Sequence, residues 1–203
     1  MLTFNIDQLT RSLARIPRPA RVAFAAACAE RLAPAYQLFS ETAGRGEAAL
    51  LASILDKLWA DLQGTPMTSA ELSADIDRCA ALIPGEEDIP WTEEQAPAED
   101  YVSALTYALR CRQGGEAKEA AWSGQCAYEA LYYEVERQES RGETHALDFK
   151  RATEHRLVQA ELARQQRDLD ELKASKEVDL PDLSGLIRGR ARQESKIIFG
   201  TSS

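Results

Sequence analysis

The sequence has few of the residues on which metal sites and nucleophilic active sites depend. Its 203 residues include two histidines and four widely spaced cysteines, with no Cys-x-x-Cys pair. Neither histidine has a glutamate three residues before it, as the Glu-x-x-His motif of helix-bundle metal sites requires. We therefore predict no metal, no cofactor and no nucleophile–base–acid triad. The cysteines should be reduced, buried thiols: Cys28, Cys79, Cys111 and Cys126.

Signals for export or membrane insertion are also missing. The first nineteen residues have no basic start followed by an apolar run and a small-residue cleavage site, so we predict no secretory signal. The most apolar stretch, residues 22–39, has Glu30 and Arg31 at its midpoint and Pro34 shortly after them, which argues against lipid as its surroundings. Together with reduced cysteines, these absences predict a cytoplasmic protein without a membrane span.

Positive charge is scarce relative to negative charge. Lysine and arginine number 24 against 33 aspartates and glutamates, which gives a formal net charge of −9. A nucleic-acid backbone or an anionic membrane would repel such a protein on average. We therefore predict neither as a partner, whereas a basic protein partner is compatible with this charge.

The chain does contain helical periodicity along most of its length. Residues 20–39 are apolar on nearly every face, which is typical of a helix surrounded by other helices. Apolar residues at intervals of three and four predict further helices: residues 5–14, 47–63, 69–83, 101–113, 116–139 and 145–174, followed by a basic segment at 182–203. The sequence thus predicts an all-α fold, a single domain over 1–203 with about seven to eight helices in a bundle around the central apolar helix.

Two helical stretches have features that bear on packing. Small residues in the sixth helix (Ala120, Ala121, Gly124 and Ala127) predict a close crossing with another helix. In the long helix at 145–174, four apolar residues have heptad-like spacing: Val158, Leu162, Leu169 and Leu172. This stripe favours core packing within the bundle, and a homodimer formed through it stays open.

Residues 84–100 differ in composition from the rest of the chain. They contain three prolines and seven carboxylates around one tryptophan, and we predict an irregular surface connection. An aromatic anchor among carboxylates suits binding to a basic protein surface. The candidate partner-binding residues are Glu86, Glu87, Asp88, Trp91, Glu93 and Glu94. The alternative is a solvated linker with Trp91 packed on the bundle, while the basic residues from Arg188 to Lys196 dock on acidic surface of the same chain or of a second copy.

The middle of the apolar helix is the second candidate site. A charged residue there must be paired, either Glu30 with Arg31 or each with a residue of another helix. Pro34 removes one backbone hydrogen bond and should kink the helix near Arg31. A small-molecule pocket beside this kink would be lined by Glu30, Arg31, Tyr36 and Trp59. Structural pairing without a pocket is the alternative.

Three blocks of the sequence carry a family resemblance. They are RVAFAAACAERLAPAYQLFSETAGRG at 21–46, LLASILDKLWADL at 50–62 and ESKIIF at 194–199. Together they resemble the YjaG-like family, catalogued as domain of unknown function 416. The resemblance implies an all-α bacterial cytosolic protein associated with sensor-kinase signalling, without established catalytic residues or a known activity.

Three functions follow from these observations. The leading hypothesis is a non-enzymatic interaction or regulatory module that presents an acidic face to a protein partner. A narrower version is an immunity-type protein that neutralises a basic toxin. The competing hypothesis is a small-molecule-binding protein or enzyme with a pocket near Pro34.

Overall fold

A computed structural model describes residues 1–83, 93–140 and 149–199. Within these ranges the chain forms α-helices, one short 3₁₀ helix (Glu177–Asp179) and no β-strand, so the predicted all-α fold is confirmed. The helices are α1 (Ile6–Leu13), α2 (Arg18–Ala43), α3 (Ala48–Leu62), α4 (Ser69–Ala81), α5 (Gln95–Gly114), α6 (Ala117–Ser140), α7 (Phe149–Glu154), α8 (Arg156–Ala174) and α9 (Leu180–Phe199).

Helix α2 lies at the centre of the bundle, as its composition predicts. It contacts α3, α5, α6, α8 and α9. Its alanines at 20, 23, 25, 26, 27 and 29 are buried, and such small side chains allow the surrounding helices to approach closely. Pro19 lies in the first turn, where a missing amide hydrogen costs no hydrogen bond. Gly44 ends the helix with a φ of 65°, a left-handed conformation that favours glycine.

The predicted close crossing of α6 is confirmed at Gly124. A Cβ atom there would lie 3.0 Å from Leu9 Cδ2, 3.1 Å from Gln165 Oε1 and 3.3 Å from Phe24 Cε1. Three helices therefore meet α6 at a residue that has no side chain. The neighbouring Ser123 Oγ donates a hydrogen bond of 2.9 Å to the carbonyl oxygen of Ala25, which ties α6 to α2.

Two segments differ from their predicted structure. Residues 95–100, predicted as part of an irregular connection, form the start of α5. Pro97 is tolerated there because the first backbone amides of a helix have no intrahelical acceptor. The helix predicted at 145–174 is interrupted at His155, whose backbone is extended (ψ 143°) and whose Nδ1 accepts a hydrogen bond of 3.3 Å from the amide of Leu157. His155 thereby caps α8 rather than continuing one long helix.

The cysteines and the heptad-like stripe belong to the core. All four cysteines are free and buried, as predicted. Burial raises the pKa of Cys79 to about 12 and that of Cys111 to about 11, so both stay protonated at neutral pH. The apolar residues of the α8 stripe are also buried within this chain. A homodimer through this stripe stays open, and the single-domain assignment and the kink at Pro34 stay predictions.

Membrane spans and metal-binding clusters are both missing from the described residues. None of their helices combines the length and the apolarity needed to cross a membrane. No group of three histidine, cysteine, aspartate or glutamate side chains among them is placed to hold a metal ion.

Candidate functional site

Glu30 and Arg31 are consecutive on α2 and face different neighbours. Successive residues of an α-helix point about 100° apart, so the two side chains diverge. Arg31 faces α8, whereas Glu30 faces α3 and α9. Each is paired with residues of other helices rather than with the other, which is the second of the two pairings that the sequence left open.

Arg31 lies in a buried cluster of opposite charges. Its Nη1 is 2.8 Å from Asp168 Oδ2, its Nη2 is 3.0 Å from Glu161 Oε1, and all three side chains are 1% exposed. Burial by itself would lower the pKa of Arg31, but Glu161 and the neighbouring acidic groups raise it overall. The guanidinium therefore stays charged in the core and holds α8 against α2.

Three further arginines balance this cluster. Arg167 Nη1 and Nη2 each lie 2.7 Å from a carboxylate, on Glu194 and Asp168 respectively. Arg190 Nη1 donates a hydrogen bond of 2.7 Å to Glu171 Oε1. We name the whole set the Arg31 cluster: Arg31, Arg164, Arg167 and Arg190 with Glu161, Asp168, Glu171 and Glu194. Equal numbers of cations and anions make it formally neutral.

Glu30 is held by residues of α3 and α9. Trp59 Nε1 donates a hydrogen bond of 2.7 Å to Glu30 Oε2, and Arg192 Nε donates one of 2.8 Å to Glu30 Oε1. Arg192 also donates from Nη2 to Asp56 Oδ1 over 2.9 Å, and Arg188 pairs with the same aspartate. Both oxygens of Glu30 thus accept hydrogen bonds, and its charge is compensated.

A groove runs beside Glu30 and Pro34 and encloses about 780 Å³. We name it the Pro34 groove. Its walls come from α2, α3, α5 and α9, and the lining residues are Glu30, Ala33, Pro34, Tyr36, Gln37, Ser40, Glu41, Ala48, Ala49, Ala52, Tyr101, Arg192, Ser195 and Lys196. It is larger than the recesses at the N-terminal segment (about 290 Å³) and beside Arg112 (about 430 Å³).

Two of the four residues predicted for a pocket line this groove. Glu30 and Tyr36 do so, whereas Trp59 is fully buried and orients Glu30 through its indole N–H. Arg31 belongs to the separate Arg31 cluster. The lining also includes Tyr101, Arg192 and Lys196. No pattern in the sequence placed these three residues near Pro34.

Tyr36 and Tyr101 are the buried aromatic residues of the groove. They are 1% and 2% exposed, and their ring centroids are 6.0 Å apart. Burial, together with the nearby charge of Glu30, raises the pKa of Tyr101, so its hydroxyl remains protonated. That hydroxyl forms no hydrogen bond with any residue that the structure describes.

The acidic connection contributes little to the described surface. Glu86, Glu87, Asp88 and Trp91 lie outside the described residues. Glu93 forms an exposed ion pair with Arg137, with Oε2 and Nη1 3.2 Å apart. Glu94 lines a recess of about 270 Å³ together with Leu38, Ile198 and Phe199.

Sequence reasoning missed the acidic partners of the central helix. Glu161 and Asp168 pair with Arg31, and Asp56 pairs with Arg192. In each pair the two residues are far apart in the sequence. One signal was present in α8: Glu161, Gln165 and Asp168 recur at helical spacing beside the apolar stripe, so polar residues share the face that enters the core. Asp56 is on the exposed side of α3 and gave no such signal.

Comparison with known proteins places this architecture in a family. The model of DUF416, described as a protein of unknown function, matches residues 8–197. The chain belongs to the DUF416 family. A crystal structure of a DUF416 family protein from Shewanella baltica OS155 shares the fold, with a TM-score of 0.77 at 20% identity over 95% of each chain. No curated protein matches the sequence.

Proposed function

We propose that this DUF416 protein is a non-enzymatic binding protein whose Pro34 groove takes a small organic molecule. The observation that carries the proposal is the side chain of Tyr101, which is 2% exposed, lines the groove and makes no hydrogen bond with the described residues. A hydroxyl in the wall of a groove that has no protein partner is free to hydrogen-bond water or a ligand. A ligand with a hydrogen-bond acceptor at this position would take the place of that water.

The size and lining of the groove support this proposal. Ligand sites in proteins commonly enclose about 300–1,000 Å³ and combine apolar walls with a few polar groups. The groove encloses about 780 Å³, with alanines on the α3 side and polar side chains on α2 and α9. Pro34 has no amide hydrogen, so the carbonyl of Glu30 also lacks its usual helical donor.

The state of Glu30 favours binding over catalysis. A general base needs a carboxylate that can take up a proton from the substrate. Both oxygens of Glu30 already accept hydrogen bonds, from Trp59 and Arg192. Glu30 therefore fixes the position of Arg192 in the groove wall.

A metabolite library screened by thermal shift tests the proposal. A true ligand should raise the Tm of the wild-type protein, and Ala52→Leu should abolish that rise because a larger side chain occupies the groove. Ala80→Leu is the matched control, since Ala80 is exposed on α4 outside the groove. Ligands that bind Ala52→Leu as well as the wild type, or a library without a single ligand, would contradict the proposal.

A second candidate is the interaction module with an acidic face. Its support is the pairing of charges: the Arg31 cluster contains as many cations as anions, and so does the group of Glu30 and Asp56 with Arg188 and Arg192. The excess of nine negative charges therefore belongs to the remainder of the chain. Such a surface would attract a basic protein and bind it with marked salt dependence.

Charge removal tests this second candidate. Proteins captured from host lysate at low salt should be lost when the acidic side chains of the connection are neutralised and when Trp91 becomes alanine. The neutral variant would replace Glu86, Glu87, Asp88, Glu93 and Glu94 by glutamine or asparagine. Unchanged affinity of every captured protein for both variants would exclude this surface as the binding site.

A further inference from the structure

We infer that the Pro34 groove binds a zwitterion, a molecule with one ammonium and one carboxylate group such as an amino acid or a short peptide. This inference rests on the proposed function, because it names the class of molecule that the groove takes. It comes from the arrangement of charges along the groove, from the hydroxyl of Tyr101 and from the backbone carbonyl of Glu30, which lacks its usual helical donor.

Two opposite charges line the groove without an ion-pair partner. Lys196 on α9 and Glu41 on α2 are both exposed, and neither forms an ion pair with the other or with a further described residue. The Glu41 carboxylate accepts one hydrogen bond of 3.0 Å, from Gln37 Nε2. The other charged residues of the lining, Glu30 and Arg192, compensate each other.

These charges lie on different walls of the same groove. A purely anionic ligand would be attracted by Lys196 and repelled by Glu41. A purely cationic ligand would be repelled by Lys196 and attracted by Glu41. A zwitterion gains at both ends when its carboxylate approaches Lys196 and its ammonium approaches Glu41. Charge complementarity thus selects a ligand with separated opposite charges and no net charge.

The interior of the groove suits the part between those charges. Tyr101 can donate a hydrogen bond there, and the Glu30 carbonyl lacks its usual helical donor because of Pro34. A peptide group supplies the matching carbonyl oxygen and N–H. Ala48, Ala49 and Ala52 leave room along α3 for apolar side chains. The volume of about 780 Å³ is sufficient for a short peptide as well as for a single amino acid.

Isothermal titration calorimetry with capped and uncapped probes tests the inference. The probes are leucine, tri-alanine and tri-leucine, each as the free zwitterion, the N-acetylated anion and the C-amidated cation, at low salt. The best free probe should bind about fivefold more tightly than either capped form, as expected for one partly exposed charge contact. Comparison of leucine with the tripeptides distinguishes an amino-acid site from a peptide site.

Single charge substitutions assign each end of the probe. Lys196→Gln should weaken the free and N-acetylated forms about fivefold and leave the C-amidated form unchanged, because only the first two carry a carboxylate. Glu41→Gln should show the opposite selectivity. Lys118→Gln, which removes an exposed lysine of α6, is the control and should change none of the affinities.

The outcomes separate this inference from the proposed function. Screened ligands that depend on Ala52 but are not zwitterions would overturn the zwitterion assignment and leave the groove as a binding site. Equal affinity for free and capped probes, or the absence of binding by every probe, would overturn it as well. If neither the probes nor the metabolite library bind in a way that Ala52→Leu prevents, both proposals are wrong.

Discussion

Replacing Arg31 with methionine should destabilise the protein by about 3–5 kcal/mol, the range found when one partner of a buried ion pair is removed. Arg31 hydrogen-bonds Glu161 through Nε (3.2 Å) and Nη2 (3.0 Å) and Asp168 through Nη1 (2.8 Å). Methionine fills a similar volume but donates no hydrogen bond. The two carboxylates would then be left in the core without the cation that they share.

Urea denaturation can measure this loss. The free energy of unfolding of an ordinary domain is about 5–15 kcal/mol. A loss of about 3–5 kcal/mol therefore leaves the variant folded at 25 °C for most starting stabilities in this range. With an m-value of about 2–3 kcal/mol/M, the midpoint should fall by about 1–2.5 M urea while m stays constant. Circular dichroism at the helical minimum would follow the transition, because the described chain is almost entirely helical.

Two further variants decide whether charge is the cause. Arg11→Met removes an exposed arginine of α1 and should change stability by no more than about 0.5 kcal/mol. Adding Glu161→Gln and Asp168→Asn to Arg31→Met should recover much of the loss, because neutral amides cost less to bury than carboxylates that have lost their shared cation. A loss below about 1 kcal/mol for Arg31→Met alone, or no recovery in the triple variant, would refute this reasoning.

Three smaller predictions follow from other parts of the fold. Burial, with repulsion from Glu129, raises the pKa of Asp100 from 3.8 to about 8. Protonated Asp100 therefore stabilises the folded protein at low pH, and this stabilisation is lost as the pH rises from about 4 to 8. The free energy of unfolding should fall by at most about 1.4 kcal/mol per pH unit in this range. Asp100→Asn should flatten that part of a stability–pH curve measured by urea titration. Thr68→Ala should cost about 1 kcal/mol in the same assay, because the Thr68–Glu71 capping box at the start of α4 is lost. The four thiols should react with a disulfide reagent at pH 8 only as fast as the protein unfolds, since all are buried; rapid labelling of the folded protein would contradict this.

The positions of most helices could be predicted because their apolar faces repeat locally. The start of α5 could not, because Pro97 and the carboxylates around it are typical of a connection. A proline in the first turn of a helix gives the same sequence signal as a proline in a loop. The break at His155 could not be predicted either, because helical periodicity continues on both sides of a single extended residue.

The candidate site was predictable only in part, because its contacts join distant parts of the chain. A buried charge on α2 must have a partner, and this requirement correctly singled out Glu30 and Arg31. The identity of the partners was not encoded nearby: Arg31 pairs with Glu161, which is 130 residues away. The groove depends on the mutual placement of four helices, and no local pattern brings Tyr101 beside Pro34.

Helix α9 connects the two charge networks and thereby forms one wall of the groove. Arg190 pairs with Glu171 on α8, and Arg192, two residues later, pairs with Glu30 and Asp56 on α2 and α3. Residues two apart on a helix point about 160° away from each other, so α9 is held from opposite sides. Arg192, Ser195 and Lys196 line the groove only while α9 keeps this position. A ligand that contacts these three residues binds only the protein in which α9 is packed against the bundle. Such a ligand therefore stabilises the packing of α9, by an amount set by the ligand's concentration and affinity.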